Sequence, residues 1–363
     1  MPPAARVPLL ILGFIGLFAG VGAGLARLAW VMPDLLAQAA GVHGALMICG
    51  FFGVVISLER AVAVGRTWTY VGPLLAGLGT IAAVQGAGTG AAVFYGAASA
   101  VLLVASLDIV RRQPALFTVT IAIGAASWCV GNLLWATGAV APLVVPWWLA
   151  FLIITIAGER LELARFMPPS AAAQRMFAGL LVLIVAGLAG TSQRWGAPLL
   201  GLALLGLAAW LFRYDIARRT VRQQGLTRFI AVCLLSGYVW LAVGAAVMLA
   251  AGGLVPGTAA YDATVHALGM GFVFSMVFGH APIIFPAVLR VTMRYHASFY
   301  LPLALLHAAL LLRLAGDATG QGSWVRWGGM ASALALAAFI VSTVTAVVRG
   351  WQSAGRLAHG GPP

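Results

Sequence analysis

Residues 42–61 read VHGALMICGFFGVVISLERA. No charged side chain lies between His43 and Glu59, and about 20 apolar residues cross a bilayer as a helix. The stretch predicts a transmembrane helix over 42–64, with an imidazole near one end and an acid–base pair at the other. Working outward, the same pattern recurs. The predicted spans are 7–31, 42–64, 68–88, 91–110, 116–137, 142–163, 174–191, 195–215, 228–252, 263–286, 298–316 and 324–348. Composition agrees: 62% hydrophobic and 8% charged residues exclude an ordinary soluble domain. Backbone in lipid must satisfy its own hydrogen bonds, and the alternating pattern of barrel strands is absent. The expectation is an all-α polytopic membrane protein of about twelve transmembrane helices, one transmembrane domain over 1–363, with the lipid bilayer as its surroundings.

The net charge of +13 does not signal nucleic acid. Every basic residue is Arg, and the arginines lie between apolar stretches. One set of connections carries Arg60 and Arg66, Arg111 and Arg112, Arg160, Arg165 and Arg175, Arg213 to Arg228, Arg290 and Arg294, and the tail with Arg349 and Arg356. The other set is nearly uncharged: QGAGTG (85–90), TGAVAP (137–142), GGLVPGTAA (252–260) and GDATGQGSW (316–324). The positive-inside rule puts both termini in the cytoplasm. Trp147, Trp148 and Trp195 are read as an outer aromatic belt. The first apolar stretch reads as a retained helix, and Gly16, Gly20 and Gly24 as a close-packing face. Cys49, Cys129 and Cys233 have no CxxC spacing and imply no disulfide framework.

Four histidines, His43, His266, His280 and His307, fall inside predicted spans. Ionisable groups in hydrocarbon need a partner or a task, and imidazole is a common haem and metal ligand. With the predicted orientation, His43 and His266 share the outer level, at the outer ends of spans two and ten. His280 lies roughly 21 Å deeper on the same face as His266, at the level of His307. His296 is at the inner interface and His359 in the tail. The outer pair, with Gly50 on the His43 face and Gly269 near His266, suits a flat macrocycle. The inner pair could take copper or a second haem, or simply bond free carbonyls near Pro282 and Pro286. Glu59–Arg60 and Glu159–Arg160 close spans two and six at the cytoplasmic end. They read as a gate, with Glu59 bridging Arg160 or the reverse, or as charged helix ends anchored at headgroups. Asn132, Thr155 and Tyr238 are the other mid-membrane polar groups.

The stretch around His43 resembles the second-helix motif of the NnrS family, roughly W-H-A-H-E-M-L-F-G-F. His43, Gly50 and Phe51 match its first His and its G-F, while its second His is Ala45 here and its Glu is Leu46. VHALGMGF (265–272) resembles a later motif opening H-A-L-x-x-G, through His266, Ala267, Leu268 and Gly271. The resemblance implies a bacterial inner-membrane protein with twelve spans, haem b, copper or a second haem, and a role in nitric oxide response and denitrification. The layout is also similar to subunit I of haem-copper oxidases, in which spans two and ten hold a bis-His haem. Spans six and seven contain no His, so no oxygen reduction or proton pumping is expected.

On this reading His43 and His266 are axial ligands, and Arg27, Arg194 and Arg326 are the outer cations available to haem propionates. No CxxCH or soluble haem domain is present, so electrons come from quinol or an electron-transfer protein. NO binding, redox catalysis and electron transfer stay open. The alternative is a cofactor-free transporter or channel gated by the histidines and the Glu–Arg pairs, or a scaffold protein with packing roles only.

Overall fold

The computed structural model describes residues 2–358; His359 lies outside the described residues. Among the described residues, twelve helices are long and apolar enough to cross a membrane. They are α1 (Pro3–Arg27), α2 (Asp34–Val64), α3 (Thr67–Val84), α4 (Gly88–Arg112), α5 (Leu116–Ala136) and α6 (Leu143–Leu163). The second half comprises α7 (Ala171–Ala189), α8 (Gly196–Tyr214), α9 (Gly225–Ala251), α10 (Ala259–Leu289), α11 (Ala297–Thr319) and α12 (Gly322–Gly350). There is no strand among the described residues.

Local chemistry sets the ends that matter. Asp34 opens α2, where a carboxylate complements the helix dipole. The Thr258 side chain caps α10 by accepting from the Tyr261 N–H at 3.2 Å. Gly65, Gly252 and Gly320 close α2, α9 and α11 with positive φ, which glycine adopts without a β-carbon penalty. Sequential helices pack as neighbours, and α1, α2, α6, α10, α11 and α12 meet around one interior space.

Two boundaries change the reading of depth. Helix α2 begins at Asp34 rather than 42, and α10 at Ala259 rather than 263. His43 and His266 therefore sit roughly 10–14 Å along the axis from their helix starts. Asp262 is drawn inside α10 by the same extension. Trp148, expected in an aromatic belt, is instead buried, while Trp195 is exposed. The Trp148 indole N–H donates to Asn132 Oδ1 at 2.9 Å, because a buried N–H must find an acceptor. Asn132 also donates to Tyr95 O at 2.9 Å and accepts from the Cys49 thiol at 3.4 Å, tying α2, α4, α5 and α6 together. All three cysteines are free.

Both α2 and α10 change from α- to π-helical winding just past their histidine, over Leu46–Phe52 and Ala267–Val273. π-Helical turns are rare and concentrate at functional sites. Each is braced by a glycine face of the preceding helix. On α1, a β-carbon at Gly16 would lie 2.9 Å from Gly50 C, and one at Gly20 would lie 2.6 Å from Met47 Sδ. On α9, a β-carbon at Gly244 would lie 2.8 Å from the Leu268 side chain.

A candidate bis-imidazole cavity

His43 and His266 line one cavity of about 770 Å³. It opens among the connections α1–α2, α5–α6, α9–α10 and α11–α12, the arginine-poor end of the bundle. Its walls are mostly apolar, with Val145, Leu149, Leu152 and Leu336 among them. Cofactor and small-molecule cavities are typically about 300–1,000 Å³ with few polar groups.

The two helices contribute matching sets. Met47 and Met270 each follow their histidine by one turn, and both line the cavity. A further turn on, Phe51 and Phe274 stack on each other with centroids 6.0 Å apart and planes 4° from parallel. Phe52 and Phe274 face the cavity from that level.

Hydrogen bonding fixes which ring nitrogen each histidine presents. His43 Nδ1–H donates to Gly20 O at 2.6 Å, and His266 Nδ1–H donates to Asp262 O at 2.8 Å. A carbonyl can only accept, so Nδ1 carries the proton and Nε2 keeps its lone pair. Metal-ligating histidines are oriented in this way. Gly24 completes the seat for His43: a β-carbon there would lie 2.7 Å from the ring's Cε1 and 2.8 Å from Nδ1. The run Gly16, Gly20, Gly24 thus packs α1 on α2 and also carries and accommodates an imidazole. At Gly44 and Gly269, beside the two histidines, a β-carbon would meet nothing within 4 Å. These residues fit a planar macrocycle: two Nε2 lone pairs, an apolar slot of suitable volume and glycine-bare helix faces next to both histidines.

The cavity's charged residues are only partly those expected. Arg27 lines it, with Nη1 donating to Ala40 O at 3.5 Å. Arg194 is exposed on the α7–α8 connection, away from the lining. Arg326 also lies off the lining: its guanidinium sits 4.2 Å from the Trp30 ring centre and donates to Ala29 O at 3.1 Å, fastening the α1–α2 connection to α12. Arg313, not anticipated, lines the cavity together with Asp262 and Asp317. Arg313 grips Asp262 with two bonds of 2.7 and 2.8 Å, the bidentate geometry that a guanidinium and a carboxylate favour. The signal was present: Arg313 is a charge inside an apolar span, and Asp262 lies one helical turn before His266.

The inner pair is organised otherwise: among the described residues each ring bonds to other partners. His280 Nδ1–H donates to Met276 O at 2.7 Å, and its Nε2 faces Arg160 Nη1 at 3.4 Å. Both nitrogens are engaged, one of them with a cation. His307 Nδ1 accepts from the Trp240 indole N–H at 2.9 Å, so its proton sits on Nε2, which is buried without a partner. Neither ring presents a lone pair to a metal in this arrangement. Among the described residues, no group of three or more His, Cys, Asp or Glu side chains is arranged to hold a metal ion.

The Glu–Arg pairs meet in one of the two expected ways. Arg60 Nη2 approaches Glu159 Oε1 at 3.8 Å. Arg160 turns to Asp215, with bonds of 2.7 and 3.1 Å, and Tyr238 Oη–H donates to the same carboxylate at 2.9 Å. Asp215 sits in the α8–α9 connection and was not singled out from the sequence. Arg160 is 5% exposed and Asp215 8%, so the pair is buried. A buried pair costs desolvation and is held by good geometry.

The molecule is thus a twelve-helix membrane-type protein with a cavity framed by two imidazoles on non-adjacent helices. It belongs to the family described as Domain of unknown function (DUF8744), whose model matches residues 6–348. No curated protein matches the chain.

Proposed function

We propose that this chain is a haem-b-binding protein of the bacterial inner membrane, of the NnrS type. His43 and His266 are its axial ligands, and both termini lie in the cytoplasm by the positive-inside rule. The observation that carries this reading is the pair of Nδ1–H bonds to Gly20 O and Asp262 O, which leave two Nε2 lone pairs to one apolar cavity. A haem bound there would supply a one-electron couple and, where one axial position opens, a site for NO. Arg27 is the expected propionate partner at the cavity mouth. Arg313 holds the acid beside His266. Phe52 and Phe274 line the slot on the side away from its mouth. The ligands' origin on α2 and α10 supports the likeness to haem-copper oxidase subunit I, and quinol or an electron-transfer protein is the proposed donor. Copper or a second haem at His280 and His307 has no such geometric support.

The test is an optical spectrum and a pyridine haemochrome assay on protein purified from haem-supplied cells. The expected result is a Soret band and haem b near one per chain. Its absence would favour the second reading, a transporter. That reading draws on the same cavity, open at one end, and on the Arg60–Glu159 bridge at the opposite end.

A further inference from the structure

The two cavity imidazoles are held by different means. His266 bonds to the carbonyl of Asp262 on its own helix, and Asp262 Oδ1 lies 3.3 Å from the same ring nitrogen. That carboxylate is clamped by Arg313 of α11. His266 is therefore fixed to α10 and, through Asp262, to α11. His43 has a single bond, to Gly20 on another helix, with no carboxylate behind it. It follows a 3-10 turn, Ala39–Val42, and lies between Gly41 and Gly44. Both glycines line the cavity, and a β-carbon at either would meet nothing within 4 Å. Glycine flanks give backbone freedom, and a bond made across two helices loosens when they shift.

A carboxylate behind the N–H of a ligating imidazole raises its donor strength and fixes its orientation. We infer that His266 is the permanent axial ligand and His43 the displaceable one, so that a small neutral diatomic molecule binds on the His43 face of the haem. This rests on the haem reading above. The exchange breaks the bond from iron to His43 Nε2 and forms one from iron to the incoming ligand, with no net transfer of electrons or protons. The displaced ring moves toward the open space beside Gly41.

Carbon monoxide on the dithionite-reduced protein tests this, read by resonance Raman and by flash-photolysis rebinding. The wild-type adduct is expected to share its iron–carbon and carbon–oxygen vibrations with the His43→Ala adduct, since both keep His266 opposite the ligand. His266→Ala is expected to lose its haem or give a different adduct. Gly24→Ala crowds the His43 ring off its seat and is expected to raise the rate of CO binding about 10-fold, the lower end of the usual effect of disturbing a ligand's support. Asp262→Asn is expected to shift the adduct's vibrations, which Gly24→Ala leaves in place. The inference is overturned by a wild-type adduct matching that of His266→Ala, by wild-type protein that carries haem but takes up no CO, or by an unchanged rate in Gly24→Ala. Wild-type protein without haem overturns the haem reading itself, and the order of ligands with it.

Discussion

The histidines of the arginine-poor half and those of the arginine-rich half are the same residue in similarly apolar helices, yet they present different chemistry. His43 and His266 spend Nδ1–H on carbonyls and keep an Nε2 lone pair for a cavity. His280 gives its second nitrogen to Arg160, and His307 accepts from Trp240, which leaves a sealed N–H. What holds one ring nitrogen of a histidine in an apolar helix decides whether the other has a lone pair to offer or serves as a structural post.

The largest expected effect breaks or keeps that contrast outright. His43→Ala or His266→Ala removes the bis-imidazole optical spectrum, while His280→Ala and His307→Ala leave its band positions unchanged. Equal loss in all four variants would erase the distinction between the halves. Next is Asp215→Ala, which strands the Arg160 guanidinium in the interior. A broken buried pair costs about 3–5 kcal/mol, to be seen as a lowered unfolding midpoint in detergent, with the haem content of the folded fraction intact.

Asn132→Ala comes below it. Asn132 accepts from Trp148 and from Cys49, so its loss leaves buried donors unmet, at about 1–3 kcal/mol. Part of that cost should appear as weaker haem retention, because Cys49 lies in the π-helical turn below His43. The smallest effect separates two of the arginines expected to serve haem propionates. Arg194→Gln is exposed and off the lining, and should stay within about 0.5 kcal/mol of wild type with an unchanged midpoint potential. Arg27→Gln should lower the potential, since losing a nearby cation favours oxidised iron. A spectroelectrochemical titration reads both.

The sequence carried the twelve spans well because a bilayer demands long apolar runs, and it placed His43 and His266 at one level by counting from span ends. It also pointed to Glu159 and Arg60 as partners, though only as one of two pairings. What it did not reveal depends on three-dimensional closure. Asp262 fell one residue outside the expected span 263–286, and the Arg313 that clamps it comes from another helix. Asp215 sat in a connection, where an acid ordinarily faces water, yet the chain folds it beneath Arg160. The π-helical turns have no sequence pattern of their own, and they lie where α2 and α10 pack against the glycine faces of α1 and α9. The glycine run on α1 was legible as packing, but its role in seating His43 required the Gly20 carbonyl and the gap at Gly24 to be seen together.

Low-temperature EPR of the oxidised, purified protein reaches the central claim most directly. Two neutral imidazoles on one iron give a rhombic or highly anisotropic low-spin signal, which is lost on replacing either His43 or His266. A spectrum with no haem iron, or a high-spin signal indifferent to both substitutions, would contradict the account.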